Sequence, residues 1–184
     1  MEIRLAREIQ SDSIVDGEGL RTVIWTQGCS HNCKGCHNPQ THDFNGGFIK
    51  DVADLKKELS YLQLQDGITL SGGDPFFQVD ACLEIAEYAQ SIGFNVWCYT
   101  GFTFEALLAM GKINKKILEL LCNIDVLVDG KFNIDLKSYN YKYRGSSNQR
   151  LIDVRKSLSR NTIVNYELKD DVFSSFVNRK PLYV

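Results

Sequence analysis

Short apolar, β-branched runs alternate along this chain with longer stretches of helical period. The runs LRTVIWTQG, GITLSGG, FNVWCYTG and IDVLVDG are separated by DVADLKKELSYL, DACLEIAEYAQSIG, FEALLAM and KKILELL, an order that predicts βα repetition. In residues 52–62 the apolar positions Val52, Leu55, Leu59 and Leu62 form one stripe, while Lys56, Lys57 and Glu58 fall elsewhere. A second helix is predicted to start after Pro75 and to close at Gly93. The strands predicted at 68–70, 96–99 and 126–128 are short and mostly apolar, which suits parallel strands covered on at least one face. The expected class is therefore α/β, with parallel strands in a partial, open β/α barrel. Ligands of such sheets sit at the carboxyl ends of strands. Four of these ends carry marked residues: Cys29 onward, Gly72-Gly73-Asp74, Thr100-Gly101, and Asp129-Gly130-Lys131.

With 184 residues and 43% apolar side chains, the chain is long enough for one domain with a real core. No linker composition or repeat divides it, so a single domain is expected, with residues 155–184 as an extension of unassigned role. The net charge of −2 argues against a nucleic-acid-coating protein. The longest apolar run, residues 106–110, is far too short to span a bilayer, and the opening residues have no apolar leader, so the cytoplasm is the expected compartment. Six cysteines in that setting are thiols or metal ligands rather than bridges. Charge is uneven: residues 137–160 hold seven Lys or Arg against one acid.

Cys29-Ser-His-Asn-Cys33-Lys-Gly-Cys36 places three thiols within eight residues, close enough for one loop to wrap one inorganic centre. Zinc with His31, His37 or His42 as a fourth ligand is one reading. A cluster of four irons with one iron open to a small-molecule ligand is the better one, because no fourth cysteine is at hand. Cys82 and Cys122 lie in helical patterns and Cys98 in a strand, where each is expected to be a small buried hydrophobe.

Asp16-Gly-Glu-Gly-Leu-Arg21 before a strand, then Gln27-Gly28-Cys29-x₃-Cys33-x₂-Cys36-His37-Asn38, then Ser71-Gly-Gly-Asp-Pro75 after the next strand, resembles the radical S-adenosylmethionine enzymes. Within that superfamily the likeness is to the glycyl-radical-enzyme activases. Val128-Asp-Gly-Lys-Phe132 and Arg144-Gly-Ser-Ser-Asn-Gln149 in so short a chain narrow it to those that serve the anaerobic ribonucleoside-triphosphate reductase.

The resemblance implies that Cys29, Cys33 and Cys36 hold a [4Fe-4S] cluster. Its open iron would chelate S-adenosylmethionine, whose reductive cleavage gives a 5′-deoxyadenosyl radical. Gly72 and Gly73 would meet the cofactor's amino group, with Asp74 as a supporting carboxylate. Gly35 stands where the superfamily usually has a bulkier residue, which leaves the adenine contact to His37. Asp129 and Lys131, two apart after a strand, are expected to point into the same mouth. The implied partners are the large subunit of the reductase, bearing the target glycine, and an electron donor such as flavodoxin. No membrane or nucleic-acid partner is expected. Arg144 and Arg150, in the basic stretch with Tyr139, Tyr141 and Tyr143, are candidates for docking the reductase. Rival readings are an activase of the pyruvate formate-lyase type and a zinc-binding nucleic-acid module.

Overall fold

Residues 1–169 are described by the computed structural model, and in them eight strands join in one sheet. They are β1 (Glu2–Leu5), β2 (Gln10–Ser13), β3 (Arg21–Thr26), β4 (Phe48–Asp51), β5 (Gly67–Gly72), β6 (Asn95–Tyr99), β7 (Val126–Asp129) and β8 (Arg150–Asp153). Five helices accompany them: α1 (Val52–Ser60), α2 (Val79–Ser91), α3 (Phe104–Gly111), α4 (Lys115–Cys122) and α5 (Val154–Arg160). Four of the five begin on a capping side chain, Asp51, Thr103, Asn114 or Asp153, that accepts a backbone N–H of the first turn.

The strands β3, β5, β6 and β7 are parallel neighbours in sequence order. Strands added in order by crossovers of one hand put every helix on one face. That face buries Ile24, Ile68, Leu70, Val96, Cys98, Leu127 and Ile152 beneath apolar residues of all five helices. Side chains alternate along a strand, so Trp97, Val126, Val128 and Leu151 emerge on the other face. There they form a second, smaller cluster with Tyr99, Tyr143, Tyr166 and Leu168.

The sheet departs from the all-parallel expectation at its flanks. β1 pairs antiparallel with β3 and β4, β2 with β3, and β8 with β7. These strands are four residues each, and QSDS and FIKD carry too little apolar signal to be read as strands. The order runs β4-β1-β3-β5-β6-β7-β8, with the sheet open between β4 and β8. Cys82 and Cys98 are buried as expected, but Cys122, the last residue of α4, is exposed. Of the extension expected over 155–184, residues 170–184 lie outside the described residues. No helix among the described residues is long and apolar enough to cross a membrane.

Candidate functional site

After Thr26 the chain crosses the carboxyl edge of the sheet in a long loop, residues 27–47, that carries the three cysteines. Its ends are drawn together by Gly28 N–H donating to Thr41 O (2.8 Å) and Cys29 N–H to His42 O (3.2 Å). From inside, Gln27 Nε2 donates to the carbonyls of Gln40 (3.1 Å) and Asp43 (2.6 Å). Gln78, just before α2, donates to the carbonyl of Gln27 (2.9 Å) and so fixes the loop to the sheet. Cys29, Cys33 and Cys36 are all partly exposed and line one open cleft.

Gly72 and Gly73 line the same cleft at the end of β5. Gly72 has φ +101°, and a Cβ there would sit 2.7 Å from the Thr26 nitrogen; a Cβ on Gly73 would run into the Gly28 carbonyl. Gly72 is required first by its positive φ and the close approach of the end of β3, and Gly73 by the close approach of the cysteine loop at Gly28. Gly73 N–H donates to Thr26 O (2.7 Å) and Asp74 N–H to Gly28 O (3.0 Å) across that approach.

Asp74 is completely buried and binds four groups. Oδ1 accepts from Phe76 N–H (3.0 Å), Oδ2 from Gly101 N–H (2.9 Å), and the Thr100 hydroxyl reaches both oxygens. The fourth group is His31, whose Nε2 lies 2.6 Å from Oδ2. His31, raised above only as a rival zinc ligand, is instead the tie between the cysteine loop and the ends of β5 and β6. Its ring packs edge-on against Phe102 at 4.5 Å. Nothing in the sequence marked it as a partner of Asp74, whereas Tyr99 and Thr100, both cleft-lining, follow from their place at a strand end.

His37 lines the cleft with Phe132, ring centroids 4.8 Å apart. Gly35 does not line it: with φ +75° it makes the turn between Cys33 and Cys36, against Ile134. Gln149, also cleft-lining, explains part of the Arg144-to-Gln149 motif. Its Oε1 accepts from Gly145 N–H (2.9 Å) and Ser146 N–H (3.2 Å), and its Nε2 donates to Gly130 O (3.0 Å).

Lys131 shares a groove with Lys34 of the cysteine loop and Asp135, and Phe132 lines both that groove and the cleft. Two other expectations fail here. Asp129 does not face the mouth: it is 1% exposed, accepts from Phe104 N–H at the start of α3 (2.7 Å), and is paired through both oxygens with Arg150. Arg150 is not a free docking cation, since it also forks onto Glu105 (2.8 and 3.0 Å). β7 and the antiparallel β8 place Asp129 and Arg150 opposite each other, so the pair is dictated by a strand that the sequence did not reveal.

Burial pushes the Cys29 thiol up to about 11, and raises that of Cys33 against the lowering influence of Lys131. Thiolates there call for a bound cationic centre, which soft sulfur ligands favour as iron–sulfur or zinc. Of the other cysteines none lines the cleft. Among the described residues no three His, Cys, Asp or Glu converge on a single-ion site, and His31 is already engaged by Asp74. Three thiols beside an open cleft fit a polynuclear centre that leaves room for an outside ligand.

The same class emerges from comparison with known proteins: residues 15–152, from the loop before β3 into β8, match the family described as "4Fe-4S single cluster domain". The anaerobic ribonucleoside-triphosphate reductase-activating protein of Escherichia coli (strain K12) is 37% identical over 144 residues, 74% of this chain and 90% of that protein. Its counterpart in Enterobacteria phage T4 is 33% identical over 144 residues, 74% of this chain and 86% of that protein. The chain belongs to the family of anaerobic ribonucleoside-triphosphate reductase-activating proteins.

Proposed function

We propose that this protein is a radical S-adenosylmethionine activase that installs a glycyl radical on the anaerobic ribonucleoside-triphosphate reductase, in the reducing cytoplasm. The observation that carries the reading is the meeting of three thiols and the Gly72–Gly73 strand end in one cleft. In this reading Cys29, Cys33 and Cys36 hold the [4Fe-4S] cluster, and the open sheet is a partial barrel of the radical S-adenosylmethionine type. When bound, the cluster and S-adenosylmethionine supply reductive cleavage of the sulfonium and hydrogen abstraction from a glycine Cα.

The chain's own residues bind, orient and exclude water. The backbone at Gly72 and Gly73 takes the amino group of S-adenosylmethionine, and His37 with Phe132 offers an aromatic wall for the adenine. Asp74 is a positioning residue: it holds His31, Thr100 and Gly101 and so sets the cysteine loop against two strand ends. Gly35 serves the turn between two of the ligands. The electron comes from a donor protein of the flavodoxin class.

Anaerobic reconstitution with iron and sulfide, followed by reductant and S-adenosylmethionine, is expected to give visible absorption that dithionite bleaches, and 5′-deoxyadenosine. Cys33→Ala is expected to lose both. With the reductase present, electron paramagnetic resonance should show the radical on the reductase. Product formed by Cys33→Ala at the parent rate, or one tightly bound zinc in place of iron, would overturn the reading.

A further inference from the structure

The stretch Arg144-Gly-Ser-Ser-Asn-Gln149 closes a tight turn against residues 130–138, just before β8. The Arg144 guanidinium donates to Gln149 O (3.1 Å), Asn148 Nδ2 to Lys131 O (2.9 Å) and Ser147 N–H to Leu136 O (2.9 Å). Ser146 is fully buried, and its hydroxyl accepts from Asn133 N–H (3.2 Å). Gln149 grips the turn from inside, joining Gly145 and Ser146 to Gly130.

This bonding fixes Gly145 on the wall of the cysteine cleft. Its N–H is held by Gln149 Oε1 (2.9 Å) and its carbonyl by Ser138 N–H (3.3 Å). Gly145 is not one of the glycines with positive φ, so its backbone conformation would admit a side chain. Its neighbours would not. A Cβ there would lie 2.9 Å from Phe132 Cδ2 and 3.0 Å from His37 Cε1, and the three nearest atoms all belong to these two rings. They are the rings that pack at 4.8 Å on the same cleft wall. His37 is exposed and Phe132 half-buried, so both have room to change rotamer: a methyl at Gly145 displaces the wall without breaking the fold.

We propose that Gly145 is a specificity-determining residue for the nucleoside end of the cofactor, its bare backbone being the seat that lets the His37 and Phe132 rings lie together as an adenine wall. The inference rests on the activase reading and deepens it by dividing the site into two ends. The amino-acid end is taken at Gly72 and Gly73, where β5 finishes, and β6 and β7 stand between β5 and the strand that the 144–149 turn enters. A change at Gly145 therefore reaches only the nucleoside half of the ligand.

Anaerobic calorimetry of the full-length, cluster-loaded chain with S-adenosylmethionine, 5′-deoxyadenosine and methionine tests this. Gly145→Ala is expected to weaken the first two about threefold to tenfold and to leave methionine within about twofold, with Tm within about 2 °C of the parent's. His37→Ala is expected to give the same split. Adding Gly145→Ala to it should cost less than in the parent, because one of the displaced rings is gone. Equal weakening of all three ligands, or no change in any, overturns the proposal, while binding by the parent leaves the activase reading standing. A Gly145→Ala chain that does not fold also overturns it, since the glycine would then serve the turn and not the rings. If the cluster-loaded parent binds none of the three, the activase reading falls and this inference with it.

Discussion

Replacing Asp74 by Asn removes one charge and half of the acceptors from the junction that fastens the cysteine loop to the sheet. In the parent, the two carboxylate oxygens take Phe76 N–H, Gly101 N–H, the Thr100 hydroxyl and His31 at 2.6–3.1 Å. The amide keeps one oxygen. If it faces Phe76, the new NH₂ meets Gly101 N–H donor to donor; if it faces Gly101, Phe76 is the one opposed. Either way a buried backbone donor is orphaned, at about 1–3 kcal/mol, and loss of the ionic component of the other bonds adds about 1 kcal/mol. A total of about 2–4 kcal/mol, at roughly 2–4 °C per kcal/mol for a chain of this size, lowers Tm by about 5–15 °C. Scanning calorimetry of the metal-free chain reads the stability, and iron per chain after reconstitution reads the loop. A Tm within about 2 °C of the parent's, together with full iron retention, would refute the assignment of Asp74 as the fastener.

Gly73→Ala should cost about 1–3 kcal/mol by forcing β5 and the cysteine loop apart at Gly28, and should weaken S-adenosylmethionine binding severalfold; equilibrium dialysis and a denaturant midpoint check both. Arg150→Ala leaves Asp129 buried without its cation. The expected loss is about 2–3 kcal/mol, below the roughly 3–5 of a fully enclosed pair because the guanidinium is partly exposed. Unchanged urea unfolding would contradict it. Arg150's hydrogen bond also holds the Glu105 carboxyl down at about 2 instead of 4.5. The folded-state value is the lower one, so this contribution is complete above pH 4.5 and is lost as pH falls from there through about 2. Glu105→Gln should flatten the acid limb of stability over that interval, and coincident limbs would argue against the pairing.

The parallel half of the sheet and its helices were legible because their periodicities are strong: the stripe of α1 and the apolar cores of β5, β6 and β7 all lie where the pattern puts them. The antiparallel flanks were not. β2 and β4 are held by backbone pairing and exposed on one side, so their side chains carry little pattern. In the site, the cysteines and glycines were readable as spacing after strand ends. The His31–Asp74 tie joins residues 43 apart in the chain, and the Asp129–Arg150 pair depends on β8; neither contact exists until the strands are in register.

That register has a wider bearing. Thr26 sits opposite Gly72, Leu70 opposite Cys98, and Tyr99 opposite Val128, so the rim of the cleft is levelled by backbone ladders. Side chains swap faces with every residue, and a strand can slip only by whole steps. The rim's pairing is therefore set in whole-residue steps: a strand is either in register or wrong, as a zip closed one tooth out is wrong along its entire length.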